Sequence, residues 1–161
     1  IRLALAVPGC RITAVDASSP MIRLAEDRVR HAGLSDRITL RCERFQDLAG
    51  ANMADAAMSN SLLHHVPNPL QFWHKLRVAV KPGSPVLVMD LLRPESPEEA
   101  QVIVDRYASG APDILRRDFY NSLLAAFTED EISAQLAQMN LTRLIIDVPD
   151  DRHWVVGGLI H

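Results

Sequence analysis

The stretch SLLHHVPNPLQFWHKLRVAVKPGSPVLVMDLL, residues 61–92, decides the fold. Within it, Asn68-Pro69 supplies a helix N-cap and a first-turn proline, and Trp73, Leu76 and Val80 follow at helical spacing. Lys81-Pro82-Gly83 then stops the helix. The run PVLVMDLL, 85–92, is continuously apolar but for one aspartate, the pattern of a strand buried on both faces of a parallel sheet. A helix feeding such a strand is one step of an alternating α/β structure.

The same alternation extends to either side. RITAV (11–15) reads as a strand, Ser19-Pro20 as a cap and first turn, and Met21, Ala25, Val29 and Ala32 as a helical stripe ending at Gly33. RITLRC (37–42) alternates like a strand, and ADAAMSN (54–60) gives a fainter one. Downstream, Ser96-Pro97-Glu98-Glu99 is a capping box that opens a helix to about Ser109, closed by Gly110 and Pro112. Leu115, Phe119, Leu123 and Phe127 recur every four residues and predict one helical face. Thr128-x-x-Glu131 opens a further helix through Ile132, Leu136 and Met139. TRLIIDV (142–148), a turn at Pro149-Asp150-Asp151 and HWVVGGLI (153–160) predict an antiparallel hairpin. The expectation is one domain over 1–161: a Rossmann-like, doubly wound, mostly parallel sheet with an antiparallel hairpin at its C-terminal end.

Composition narrows the function. The 161 residues are 48% apolar and 23% charged, the balance of a globular protein. A net charge of −3 provides no basic field for nucleic acid. Cys10 and Cys42 stand far apart in no metal-type spacing, which predicts reduced thiols and no metal site. No apolar run nears the roughly 18–20 residues that span a bilayer, and no signal peptide is visible, so no membrane contact and a cytoplasmic location are expected.

Asp16 ends the strand-like segment RITAV, and ligands of open α/β sheets bind outside the carboxyl ends of the strands. A carboxylate there offers two acceptor oxygens to the 2′- and 3′-hydroxyls of a ribose, or it caps the turn that follows. His64 and His65 are adjacent and point in different directions, so they do not form a metal pair. One ring packs or hydrogen-bonds beneath the site, or one, with His65 ahead, serves as a general base. Asp90, at the end of PVLVMD, faces the ligand side or pins the next loop. Tyr120 and Asn121, within RRDFYNSLLAAF (116–127), meet a small substrate or lie on a surface helix.

AVDASSPMIRLAEDRV (14–29) and ADAAMSNSLLHHVPNPLQFWHKLRVAVKPGSPVLVMDLLRP (54–94) together resemble class I S-adenosylmethionine-dependent methyltransferases, notably their methyltransferase type 11 branch. The most specific matches are Val15-Asp16-x-Ser18, Leu63-His64-His65-Val66 and Lys81-Pro82-Gly83. The resemblance implies that Asp16 holds the ribose of S-adenosyl-L-methionine, with Ala17, Ser18 and Met21 beside the adenosine. Arg44 and Phe45 would lie by the adenine, with Glu43 or Asp47 facing its amine. Ser59, Asn60 and Ser61 would end the strand where the methionine part of the cofactor meets the nucleophile. The segment 93–127 would form a helical lid over a small-molecule acceptor.

The family's glycine-rich loop is not among these residues. The seven glycines (9, 33, 50, 83, 110, 157 and 158) form no cluster between a strand and a helix. The resemblance therefore implies an N-terminally incomplete domain, its central first strand truncated, absent from this sequence or supplied by another subunit, with a homodimer left open. Two other classes compete: an NAD(P)-dependent Rossmann oxidoreductase, whose ribose is also held by a strand-end carboxylate, and a non-catalytic remnant that folds by dimerising.

Overall fold

The computed structural model describes residues 1–50 and 53–161, and the chain divides into two compact units, 1–49 and 50–161. The first unit runs α1 (Arg2–Ala6), β1 (Ile12–Asp16), α2 (Ser19–His31) and β2 (Ile38–Cys42), followed by a 3₁₀ turn at Phe45–Asp47. β1 and β2 pair in parallel, with Ile12 opposite Ile38 and Asp16 opposite Cys42. Ala4, Val29, Leu34 and Ile38 form the core, with Cys10, Ile12 and Leu40 packed against it.

Local chemistry sets the ends of α2. The cap is Ser18, one residue before the predicted Ser19, because the Ser18 hydroxyl accepts the Met21 N–H and Pro20 falls inside the first turn. At the other end Gly33 adopts φ 67°, and the Leu34 and Gly33 amides donate back to Val29 and Arg30 in a Schellman closure. Arg37 serves α1 instead. Its guanidinium donates to the carbonyls of Ala4 (2.7 Å), Val7 (2.8 Å) and Cys10 (3.1 Å), which collects the unpaired end of a five-residue helix.

The second unit holds β3 (Ala57–Asn60), a 3₁₀ turn (Leu63–His65), α3 (Pro69–Ala79), β4 (Pro85–Leu91), α4 (Pro97–Ala108), α5 (Asp113–Ala125), α6 (Glu129–Gln138), β5 (Ile145–Asp150) and β6 (His153–Leu159). The strand order is β3-β4-β6-β5, with β3 parallel to β4 and the remaining two pairings antiparallel. Among the described residues, β1 pairs only with β2 and β3 only with β4. The fold is thus the expected mixed α/β arrangement, with the hairpin β5–β6 added next to β4. Thr128 and Glu131 form the complete capping box that opens α6. At α4 the Ser96 hydroxyl caps the Glu99 N–H, while the Glu99 carboxylate reaches the Glu95 amide.

Two further expectations change. β4 is not buried on both faces: Val86, Val88 and Asp90 are buried together with their cross-strand partners Val156 and Trp154, whereas Leu87 is 45% exposed beside Met58. On the face of Leu87 the strand is buried only at its end, at Leu91, so an apolar run that predicts two buried faces has one buried along its length. Phe127 also leaves the predicted helical face. α5 ends at Ala125, Ala126 is extended, and Phe127 bridges to Leu92 and accepts the Arg93 N–H. The cap at Thr128 forces that break, because an N-cap takes non-helical dihedrals. The interior between α4, α5 and the end of β4 is built from Leu91, Ala100, Ile103, Val104, Leu123 and Ala126. A buried bond from the Trp73 indole to Gln135 (2.9 Å) ties α3 to α6.

Arg37→Met tests the first unit. Losing charge-assisted bonds to three carbonyls is expected to lower the local opening free energy of α1 by about 2 kcal/mol. Hydrogen exchange should show this as lost protection at Leu5, Val7 and Cys10, with the α6 amides unchanged.

Candidate functional site

Asp16 stands at the carboxyl end of β1, exposed, and its two oxygens are in different situations. Oδ1 accepts the Ser18 N–H at 2.7 Å and shapes the turn into α2. Oδ2 has no partner among the described residues. Capping the turn and binding a hydroxyl are therefore compatible: each takes one oxygen. Met21 is 52% exposed one turn into α2, and Ser18 spends its hydroxyl on the cap. Arg44 is paired with Asp47 at 3.0 Å on the surface, and Glu43 lies against Arg41 in an ionic contact. Both carboxylates considered for the adenine amine thus already carry an arginine. Phe45 is half-buried in the 3₁₀ turn beside them.

In the second unit the end of β3 is held from below by one carboxylate. Asp90 is 1% exposed, and its Oδ2 accepts the backbone N–H groups of Leu62 (2.9 Å) and Leu63 (2.6 Å). Its Oδ1 accepts the Leu91 N–H (2.7 Å) and lies 2.5 Å from His64 Nδ1. The position at the end of PVLVMD therefore pins the loop. Against the same loop, Ser61 takes φ 51°, a left-handed conformation that costs a non-glycine residue about 1–2 kcal/mol. Its N–H still continues the ladder to the Met89 carbonyl (2.9 Å), and the Asn60 amide donates to its hydroxyl (3.2 Å). A buried, charged acceptor with several donors outweighs that strain, since hydrogen bonds to a charge contribute about 1.5–3 kcal/mol each.

The two histidines divide accordingly. His64 has a side chain only 3% exposed and is the hydrogen-bonded ring. His65 is exposed, its ring centroid 3.9 Å from that of His64 and the two planes tilted by 47°. Burial and then the neighbouring His64 push the His65 pKa below the ordinary histidine value, and the Asp90 charge only partly opposes them. His65 is therefore the neutral, solvent-facing imidazole at pH 7. Among the described residues no group of three or more His, Cys, Asp or Glu is placed to hold a metal ion, and no helix is long and apolar enough to cross a membrane.

Tyr120 lines a cleft of about 270 Å³ between α4 and α5, with Gln101, Val104, Arg116 and Arg117. Asn121, its neighbour, is exposed and is not part of the cleft lining. Two features escaped the sequence. The left-handed Ser61 has no glycine to announce it, and Gln101 reads as an ordinary polar position on α4.

Asp90→Asn replaces an acceptor-only group by one that accepts on a single atom. It is expected to destabilise the second unit by about 3 kcal/mol, because buried donors now served by one carboxylate are left short of an acceptor. Urea denaturation should show this, with lost amide protection at Leu62 and Leu63. By NMR titration His65 should titrate below 6.5. Between its folded value and 6.5 the unfolded chain binds a proton the folded one lacks, so stability falls as pH drops through that window.

The family model described as a methyltransferase domain matches residues 1–88, more than half of the chain. Among solved structures, a SAM-dependent methyltransferase from Aquifex aeolicus aligns at TM-score 0.64 and 15% identity, over 94% of this chain and 69% of that one. The mitomycin 7-O-methyltransferase MmcR aligns at TM-score 0.67 and 21% identity, over 96% of this chain and 43% of that one. The plantazolicin methyltransferase BpumL, solved in complex with a desmethyl substrate analog and SAH, aligns at TM-score 0.68 and 12% identity, over 96% and 70%. The chain thus spans less than half the length of MmcR. At these identities the structures establish the fold, and the matched family model establishes membership: the chain belongs to the methyltransferase domain family.

Proposed function

We propose that this chain binds S-adenosyl-L-methionine and takes part in methyl transfer to a small-molecule acceptor. The observation that carries the reading is the half-committed carboxylate of Asp16 at a strand end, within the span the methyltransferase model matches. Its free oxygen suits a ribose hydroxyl, and the structure of BpumL with SAH supports the cofactor class. When bound, the cofactor supplies a methyl group on a sulfonium: the bond from acceptor to methyl carbon forms as the carbon–sulfur bond breaks, and sulfur keeps the electron pair as a thioether.

The chain's own residues are asked mainly for placement. Asp16 fixes the ribose, while Ala17, Ser18 and Met21 flank the adenosine and Arg44 and Phe45 border the adenine. Asn60 and Ser61 offer an amide, a hydroxyl and a backbone held in one conformation by Asp90. His65, neutral at pH 7, takes the acceptor's proton where the acceptor must lose one. α4 and α5, within 93–127, form the acceptor side, with Tyr120 and Asn121 as its contacts.

Isothermal titration tests the cofactor reading. S-adenosylhomocysteine should bind, and Asp16→Ala should weaken it at least tenfold, the loss of about 1.4 kcal/mol expected for one bond to a charged acceptor. Stabilisation of the chain by NADH and not by S-adenosylhomocysteine would assign it to nicotinamide chemistry instead.

A further inference from the structure

We infer that the cleft between α4 and α5 is a recognition site for a small aromatic carboxylate, and that Arg117 is the group that selects the charge. The inference rests on the acceptor-side reading above and names the chemical class that side would take. At about 270 Å³ the cleft falls just under the usual range of small-molecule sites, about 300–1,000 Å³, so it suits one ring and a short substituent.

The lining is two-sided. Val104 is 1% exposed and Tyr120 is half-buried against the α4–α5 core, which gives one apolar wall. Opposite in character are Arg116, Arg117 and Gln101. Arg116 does not swing freely: its guanidinium lies 2.5 Å from Asp105 Oδ1, and the same oxygen accepts the Gln101 amide at 3.0 Å. One donor of Arg116 is thereby used, which orients the remaining four. Arg117 forms no ion pair among the described residues and adds a full, uncompensated charge. Asp105 offsets one of the two arginines, so the cleft keeps a net positive lining.

A planar guanidinium fork matches a planar carboxylate, and Arg117, in no ion pair among the described residues, presents its whole fork while Arg116 keeps one donor on Asp105. An apolar wall beside that fork favours a ring carrying the carboxylate over a bare anion. A carboxamide of the same shape keeps the ring contacts and loses the charge.

The test uses the 161-residue chain with 4-hydroxybenzoate and 4-hydroxybenzamide as probes, followed by NMR. The acid should bind with a Kd on the order of 0.1–1 mM, as one exposed charge pair and a half-buried ring allow, and should shift the Val104 methyl and Tyr120 ring signals. The amide should bind at least tenfold more weakly. Arg117→Gln should cost at least tenfold for the acid and leave the amide unchanged, and Arg117→Lys should restore part of the loss. Equal affinity for acid and amide, an unaffected Arg117→Gln, or no shift at Val104 and Tyr120 up to about 10 mM acid would overturn the inference. Titration of the same chain with S-adenosylhomocysteine separates the two proposals. Cofactor binding without acid binding leaves the methyl-transfer reading standing and removes this one; acid binding without cofactor binding does the reverse.

Discussion

A single buried carboxylate organises the second unit. Asp90 sits at the end of β4, almost without solvent, where an unpaired charge would be costly to bury. Four donors converge on it, three of them from the segment that follows β3. The consequence runs outward from there. The Leu62 and Leu63 amides are bound to β4 while their carbonyls accept from His65 and Val66 within the 3₁₀ turn, so the chain turns sharply as it leaves β3. Ser61 absorbs that turn in a left-handed conformation. The residues at this strand end are therefore rigid because of a group that does not itself face solvent.

The first unit uses the opposite sign for a similar purpose. Arg37, just before β2, spends its guanidinium on three carbonyls at and after the end of α1. A five-residue helix is too short to hold itself by propagation. A charged donor that satisfies its terminal carbonyls holds it against the Ala4–Val29–Leu34–Ile38 core. In both units the backbone groups left over at the end of an element are satisfied by one charged side chain from a distant part of the chain.

Much of the architecture was legible in the sequence because it rests on local signals. Asn68, Ser96 and Thr128 cap the helices that their spacing predicts, and Gly33 closes α2 with the positive φ that only glycine takes without strain. Where the sequence misled, a longer-range fact decided. The apolar run of β4 carries no information about how many faces a neighbour covers, and Leu87 is exposed although its composition argues for burial. Phe127 matched a spacing of four, yet a cap one residue later ends the helix first. The candidate site divides along the same line. Asp16 was readable because strand end and turn are adjacent in sequence. The partnership of His64 with Asp90 spans 26 residues and needed the fold to be seen.

That partnership also explains why two adjacent histidines are chemically unlike. An ionised Asp90 makes His64 Nδ1 a donor, which fixes the tautomer and keeps that ring in the interior. His65 lies against a neighbour rather than in an ion pair: its ring is tilted against that of His64, which lowers the His65 proton affinity. Burial and this neighbour act on His65 in the same direction, while Asp90, already engaged by four donors, only partly offsets them. The His65 proton affinity is thus lowered first by burial and then by its His64 neighbour, against the pull of Asp90. A substitution at His64 would therefore change two things at once, the conformation of the strand end and the proton affinity of His65, and its effect on each must be read separately.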